Sequence, residues 1–316
     1  RRVRAAWKYL RRGPISTKVR DTGPMGDPSR GKRRGHERAF QPVSADGGVD
    51  RARRAPGAAV DRLSDYDIIL VVNDIHPFHA ERRWLQAFGQ PLVTYWDPIY
   101  REPDYDQEYF SNVILYQDGL HIDFTLWPVT LLQHIVAAPT LPAEVDAGYR
   151  ILLDKAGLTT GMAAPTYRAY IPTPPTAETF QRWVEEFFSD VPYVAKCLWR
   201  DELLPVKWVL DYDMKHAYLL PMLEWRMEID HGWRIKTGVI GRGLKKHLPA
   251  NLWTQLENSY VGAGIAENWA ALFQTIDLFR QAAQEVAAHF DYPYPHDLDQ
   301  GVMAYIEQVR RLSPPP

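Results

Sequence analysis

Cysteine is nearly absent from this chain: Cys197 is the single one in 316 residues. An intrachain disulfide is therefore excluded, and a reducing compartment is expected. Long apolar runs are absent as well. None approaches the ~18 residues that a membrane span needs, and the N-terminal stretch lacks the apolar centre of a signal peptide. Together these absences predict a cytoplasmic protein with no membrane partner. No internal repeat is present. What the chain does have is 46% hydrophobic and 12% aromatic residues, enough for a sizeable core and two domains.

A net charge of −2 hides an asymmetry. Residues 1–60 hold 16 Lys/Arg against 5 Asp/Glu, a net of +11, so the remainder carries −13. An acidic body attracts cationic small molecules and repels nucleic acid. Residues 1–58, rich in Arg, Gly, Pro and Ala, read as a basic, poorly ordered segment, with a short helix possible over Val3–Leu10. They lack the interleaved aromatics of a nucleic-acid-binding arm.

The chemistry concentrates at Ser64-Asp65-Tyr66-Asp67, which runs directly into Ile68-Ile69-Leu70-Val71-Val72. Side chains alternate along a strand, so Asp65 and Asp67 share a face and repel each other. A divalent cation relieves that repulsion, and Mg²⁺ favours one or two carboxylates plus substrate phosphates. A solvated strand entry uses the same residues. A third carboxylate comes from Asn112–Tyr116 and His121–Trp127, two strand signals joined by Gln117-Asp118-Gly119-Leu120, a hairpin sequence. In the second of these strands His121, Asp123 and Thr125 share the face opposite Ile122, Phe124 and Leu126. If the strands are neighbours, Asp65, Asp67 and Asp123 converge as metal-assisted phosphoryl transfer requires. A polar outer face on an edge hairpin is the competing reading.

Further strands are expected over Ile68–Val72 and Pro91–Trp96, with a helix over Phe78–Phe88, giving a small α/β domain. Pro165, Pro172, Pro174 and Pro175 mark a linker at 164–177. Beyond it the pattern is helical. Thr176 caps a helix ending near Phe188, ahead of Pro192. A second helix spans Tyr193–Asp211, kinked at Pro205, a third Asp213–His231, and a long one Ala266–Phe290. A second Asp-Tyr-Asp, at 211–213, has no strand after it and reads as a cap or turn. Lys196, Arg200 and Lys207 fall near one helical face, a basic stripe suited to a triphosphate or to solvent.

These motifs together resemble the aminoglycoside 6-adenylyltransferases, which modify streptomycin. The matching stretches are Ser64–Asp74, Asp118–Pro128, Val191–Arg200, Met222–Trp225 and Asp277–Arg280, in order across residues 60–311. The resemblance implies an α+β protein: a nucleotidyltransferase-like mixed-sheet domain, 59–165, followed by a C-terminal helical bundle, 177–311. It implies ATP as co-substrate, Mg²⁺, and transfer of AMP to a hydroxyl of a cationic aminoglycoside by a monomer that confers resistance. Asp65, Asp67 and Asp123 match the metal set, with Asp123 also the catalytic base. Arg53, Ser64, Lys196 and Arg200 are the implied nucleotide contacts. Asp118, Glu185 and Glu186, acidic residues flanking the hairpin and the first helix of the second domain, are the expected drug contacts. The family carries Gly-Ser-Arg about 14 residues before the acidic pair, preceded by an apolar strand. Here that register holds Arg51-Ala52-Arg53, and Phe40–Asp50 is polar and broken. A degenerate member that binds nucleotide or drug without turnover is the alternative.

Overall fold

The computed structural model of the chain describes residues 47–50 and 63–313. They divide into two compact units, the first ending at Ala169 and the second beginning at Tyr170. Arg53 and the basic segment before Gly47, with its expected helix at 3–10, lie outside the described residues.

The first unit is built on a mixed sheet. Its strands are β1 (Gly47–Asp50), β2 (Tyr66–Val72), β3 (Pro91–Trp96), β4 (Tyr100–Glu102), β5 (Gln107–Tyr116), β6 (His121–Pro128) and β7 (Arg150–Asp154). The order is β3-β5-β6-β2-β1-β7, with β4 paired to β5. Among the described strands only β2 and β6 run parallel, and the other pairs are antiparallel. Strand β1 corrects the expectation of a broken, strandless segment before residue 50. It is too short and glycine-rich to announce itself, and pairing on both sides, with β2 and β7, holds it extended.

Alternation sets what each face of the sheet buries. Ile68, Val72, Phe110, Ile114, Ile122, Phe124 and Leu126 form one core with Phe78, Trp84, Leu85 and Phe88. The expected helix over 78–88 is two short pieces, α1 (His76–Ala80) and a 3₁₀ turn (Arg82–Ala87). The break lets Trp84 turn inward, donate to the Phe78 carbonyl and pack edge-on to Phe124 at 5.1 Å. On the opposite face Ile69, Val71 and Trp127 pack against α2 (Val129–Ala137) and Val145 of α3 (Ala143–Asp146). The β5–β6 turn closes at Gly119, φ +82°, a conformation that glycine adopts without strain.

The second unit is helical. Thr176 caps α4 (Ala177–Trp199), its hydroxyl accepting from Thr179 N–H at 3.1 Å. Pro192 does not end this helix. It costs one backbone bond in the middle of a face where Phe188, Val191, Val194 and Ala195 are fully buried, and that packing carries the helix through. The chain then breaks at Asp201, φ +59°, so no single helix spans 193–211. Pro205 instead lies in the first turn of α5 (Leu203–Lys207), where a missing N–H is harmless. A π-helix (Trp208–Leu219) follows and leads into α6 (Leu220–His231), then α7 (Ala250–Asn258), α8 (Ile265–Phe290) and α9 (His296–Arg311). One continuous core joins these helices, with Phe187 stacked on Phe279 at 3.7 Å.

Candidate active site

Strands β2 and β6 are parallel neighbours, with Asp67 directly opposite Asp123. Their backbones are therefore about 4.8 Å apart. Asp65, just before β2, lies two residues back on the same face. The sheet register thus brings the acidic pair and the hairpin carboxylate to one edge of one face, beyond the apolar patch of Ile69, Val71 and Trp127. The apolar residues bury that end of each strand and leave the carboxylates at its mouth, partly exposed: 46% for the Asp65 side chain and 34% for Asp123.

His121 completes the cluster. Its Nδ1 is 2.5 Å from Asp65 Oδ1 and its Nε2 is 3.6 Å from Asp123 Oδ1. The imidazole stands between two carboxylates that would otherwise face each other. Its place on the face of Asp123 follows from alternation, but its contact with Asp65 depends on the β2–β6 pairing, which sequence alone leaves open. On the same strand Thr125, 5% exposed, exchanges a 3.1 Å hydrogen bond with Ser111 of β5.

Among the described residues, no three carboxylate, imidazole or thiol groups are gathered so as to hold a metal ion by themselves. What remains is Asp67 opposite Asp123 with Asp65 alongside, a hard-oxygen set open to solvent. It suits a cation that takes one or two carboxylates and completes its shell with phosphate oxygens and water.

The other expected residues are distributed as follows. Ser64 is half-buried immediately before Asp65. Asp118 is exposed in the β5–β6 turn, where its Oδ1 accepts from Leu120 N–H at 3.2 Å. Lys196 and Arg200 are exposed at the C-terminal end of α4. Glu185 and Glu186 are exposed earlier on that helix, and Glu185 accepts from Gln181 at 2.9 Å.

Lys207 does not extend the basic stripe. It is on a separate helix and turns to Asp211 at 2.5 Å and to the Val261 carbonyl at 3.1 Å. Asp211 also receives Lys215 at 2.7 Å. The second Asp-Tyr-Asp is thus neither cap nor turn. It lies within the π-helix, and its first carboxylate pairs with two lysines.

Asp277 and Arg280 are structural as well. Arg280 bonds Asp277 at 2.6 Å and grips Asp299 of α9 through two bonds of 2.6 and 2.7 Å.

The chain is similar to known proteins over most of its length. The family model for streptomycin adenylyltransferase matches residues 49–309. An aminoglycoside 6-adenylyltransferase of Bacillus subtilis (strain 168) is 30% identical over 259 residues, covering 79% of this chain and 85% of that one. A protein of the same name from Campylobacter jejuni is 29% identical, covering 79% and 84%. A crystal structure of an aminoglycoside 6-adenyltransferase from Bacillus subtilis aligns with a TM-score of 0.42 at 27% identity, over 78% of this chain and 89% of that one. Agreement from the strand before the acidic pair to the last helix makes this chain a member of the streptomycin adenylyltransferase family, and thereby a nucleotidyltransferase.

Proposed function

We propose that the chain transfers AMP from ATP to a hydroxyl of a cationic aminoglycoside such as streptomycin. The observation that carries this reading is Asp67 in register with Asp123, with Asp65 on the same face, in a chain whose relatives are named aminoglycoside 6-adenylyltransferases. The drug oxygen attacks the α-phosphorus of ATP, its bond to that phosphorus forms, and the bond to the β-phosphate oxygen breaks to release pyrophosphate. The hydroxyl proton passes to the Asp123 carboxylate, a general base. Asp65 and Asp67, with Asp123 as third acid, would hold a Mg²⁺ ion, whose charge supports the phosphates and the departing pyrophosphate. His121 orients Asp65 through its 2.5 Å contact.

Ser64, Lys196 and Arg200, with Arg53, are the proposed nucleotide contacts. Exposed Asp118, Glu185 and Glu186 attract the drug's guanidinium or ammonium groups from solution. The proposed setting is the cytoplasm, where a monomer meets ATP. Among the described residues no helix is long and apolar enough to cross a membrane.

The test is pyrophosphate release on mixing the protein with ATP, Mg²⁺ and streptomycin. Release that requires the drug and disappears in Asp67→Asn supports the reading. No release across a panel of aminoglycosides would sink it. A second reading, binding without turnover, is favoured by Arg51-Ala52-Arg53 in the register of the family's Gly-Ser-Arg. Under that reading, calorimetry detects drug or nucleotide binding while no AMP is transferred.

A further inference from the structure

The face that carries Asp123 continues into a cavity of about 640 Å³. Its floor is Ser111 and Thr125, paired across β5 and β6. Thr125 follows Asp123 by two residues on the same face, about 7 Å along the strand. Tyr105, Tyr109 and Trp127 supply aromatic walls, and Glu102, Asp104 and Glu144 supply carboxylates. The cavity lies entirely within the first unit, between β4–β5 on one side and α2 and α3 on the other.

Its charge is one-sided. Among the described residues no lysine, arginine or histidine pairs with Glu102, Asp104 or Glu144. Arg101, beside Glu102 in sequence, directs its guanidinium to Asp106 at 2.8 Å and Glu108 at 3.4 Å instead. His134 stacks on Tyr105 at 5.7 Å and, among the described residues, makes no ion pair. Three uncompensated carboxylates around a concave surface favour a cation, and aromatic faces add cation–π attraction for guanidinium or ammonium groups. The same charge repels the triphosphate of ATP. The two hydroxyls on the floor match the hydroxyl groups of a sugar or cyclitol ring.

We infer that this cavity binds a cationic, hydroxyl-rich ring of the aminoglycoside, and that Glu102, Glu144 and Asp104 determine its affinity. The inference rests on the adenylyltransferase reading and deepens it. It assigns the first unit alone a drug subsite beginning one sugar ring's length from the base. The reacting hydroxyl reaches Asp123 while the cationic substituents point away from the phosphates, which separates like from unlike charge within one site.

The experiment is calorimetric titration of the full chain with streptomycin, without ATP, so that the result does not depend on turnover. ATP binding is titrated separately. Glu144→Gln and Glu102→Gln each keep the size and polarity of the side chain and remove its charge. Each is expected to weaken drug binding about 10-fold, and the double variant about 100-fold, the scale of charge-assisted hydrogen bonds. ATP affinity and the melting temperature stay at wild-type values. A third variant, Thr140→Trp, at the cavity rim, fills space without changing charge and is expected to weaken the drug alone.

If the wild-type chain binds and adenylylates the drug while these variants bind it equally well, the subsite is wrong and the enzyme reading stands. Parallel loss of ATP affinity also overturns the subsite, because it makes the cavity a nucleotide pocket. If the wild-type chain neither binds nor modifies any aminoglycoside in the panel, subsite and reading fall together.

Discussion

Replacing Asp123 by Asn keeps the side-chain volume and most of its hydrogen bonding but removes the ability to take a proton. A general base typically contributes about 10² to 10⁴-fold to rate and much less to ground-state affinity. The Asp123→Asn variant is therefore expected to lose kcat on that scale with ATP binding nearly unchanged. Parallel loss of ATP affinity would make Asp123 chiefly a ligand for the cation.

His121 separates orientation from chemistry. Its imidazole reaches Asp65 at 2.5 Å and approaches Asp123 at 3.6 Å. His121→Ala leaves both acids in place but frees Asp65 to rotate. We expect kcat/KM to fall about 10- to 100-fold, in line with the cost of removing groups that orient ligands, and His121→Gln to recover part of the loss. Unchanged kinetics in the alanine variant would show that the contact has no functional weight. At this scale the sequence was informative. The period of two placed Asp65, Asp67 and Asp123 on polar faces, and the Asp-Gly turn set the hairpin. His121 was visible on the same face, but only the β2–β6 pairing, between residues more than fifty apart, turned it toward Asp65.

Among the elements, the π-helix departed furthest from the sequence reading. Leu210, Met214, Lys215 and Leu219 are its buried positions. Their spacing alternates between four and one, which suits an i→i+5 turn better than a repeat of 3.6. A helical reading with the ordinary period therefore cut the segment at Asp211. The wider turn has a direct structural consequence. It inserts the Lys215 side chain, wholly buried, between Asp211 and the Ser259 carbonyl, at 2.7 and 2.6 Å, and against the Tyr260 ring. Burial pushes the Lys215 ammonium below the usual lysine range, while Asp211 opposes the shift.

Removing one partner of a buried pair costs about 3–5 kcal/mol, because the remaining charge stays in the interior. Asp211→Ala is expected to destabilise the helical unit toward the lower end of that range, since the Asp211 carboxylate is itself partly exposed. Chemical denaturation followed by tryptophan fluorescence reads the loss. A change under about 1 kcal/mol would mean that Ser259 and Tyr260 hold the lysine without it. The cavity of the first unit was hidden for a different reason. Its carboxylates come from β4, the following loop and α3, short elements with no periodicity, so nothing in the linear order brings Glu102 and Glu144 together.

Across the whole chain each unit carries its own core, aromatic and β-branched in the sheet unit, helical in the other. The units can therefore respond differently to acid, and Asp299 tells which one does. Only 4% exposed, it receives two bonds from Arg280 and one from the Tyr294 hydroxyl at 2.8 Å, tying α8 to α9. Burial alone would raise its carboxyl, but the Arg280 and Tyr294 bonds prevail and hold it below the usual aspartate range.

A carboxyl with a lowered folded pKa binds protons more readily in the unfolded chain. Its stabilising contribution is complete above the ordinary aspartate value of about 3.9 and is lost as pH falls through the lowered folded value. The helical unit should therefore lose stability steeply below about pH 4. Asp299→Asn removes the titration and leaves Arg280 with Asp277 alone. It is expected to lower stability at neutral pH by about 3 kcal/mol and to flatten the acid dependence of the α8 and α9 amides in hydrogen exchange. Protection in α8 and α9 that falls with acid as steeply in Asp299→Asn as in the wild type would place the acid-sensitive group elsewhere. In the sheet unit Asp146 and Asp154 play the corresponding part, because hydrogen bonds from Thr166 and Thr159 outweigh burial and lower both carboxyls.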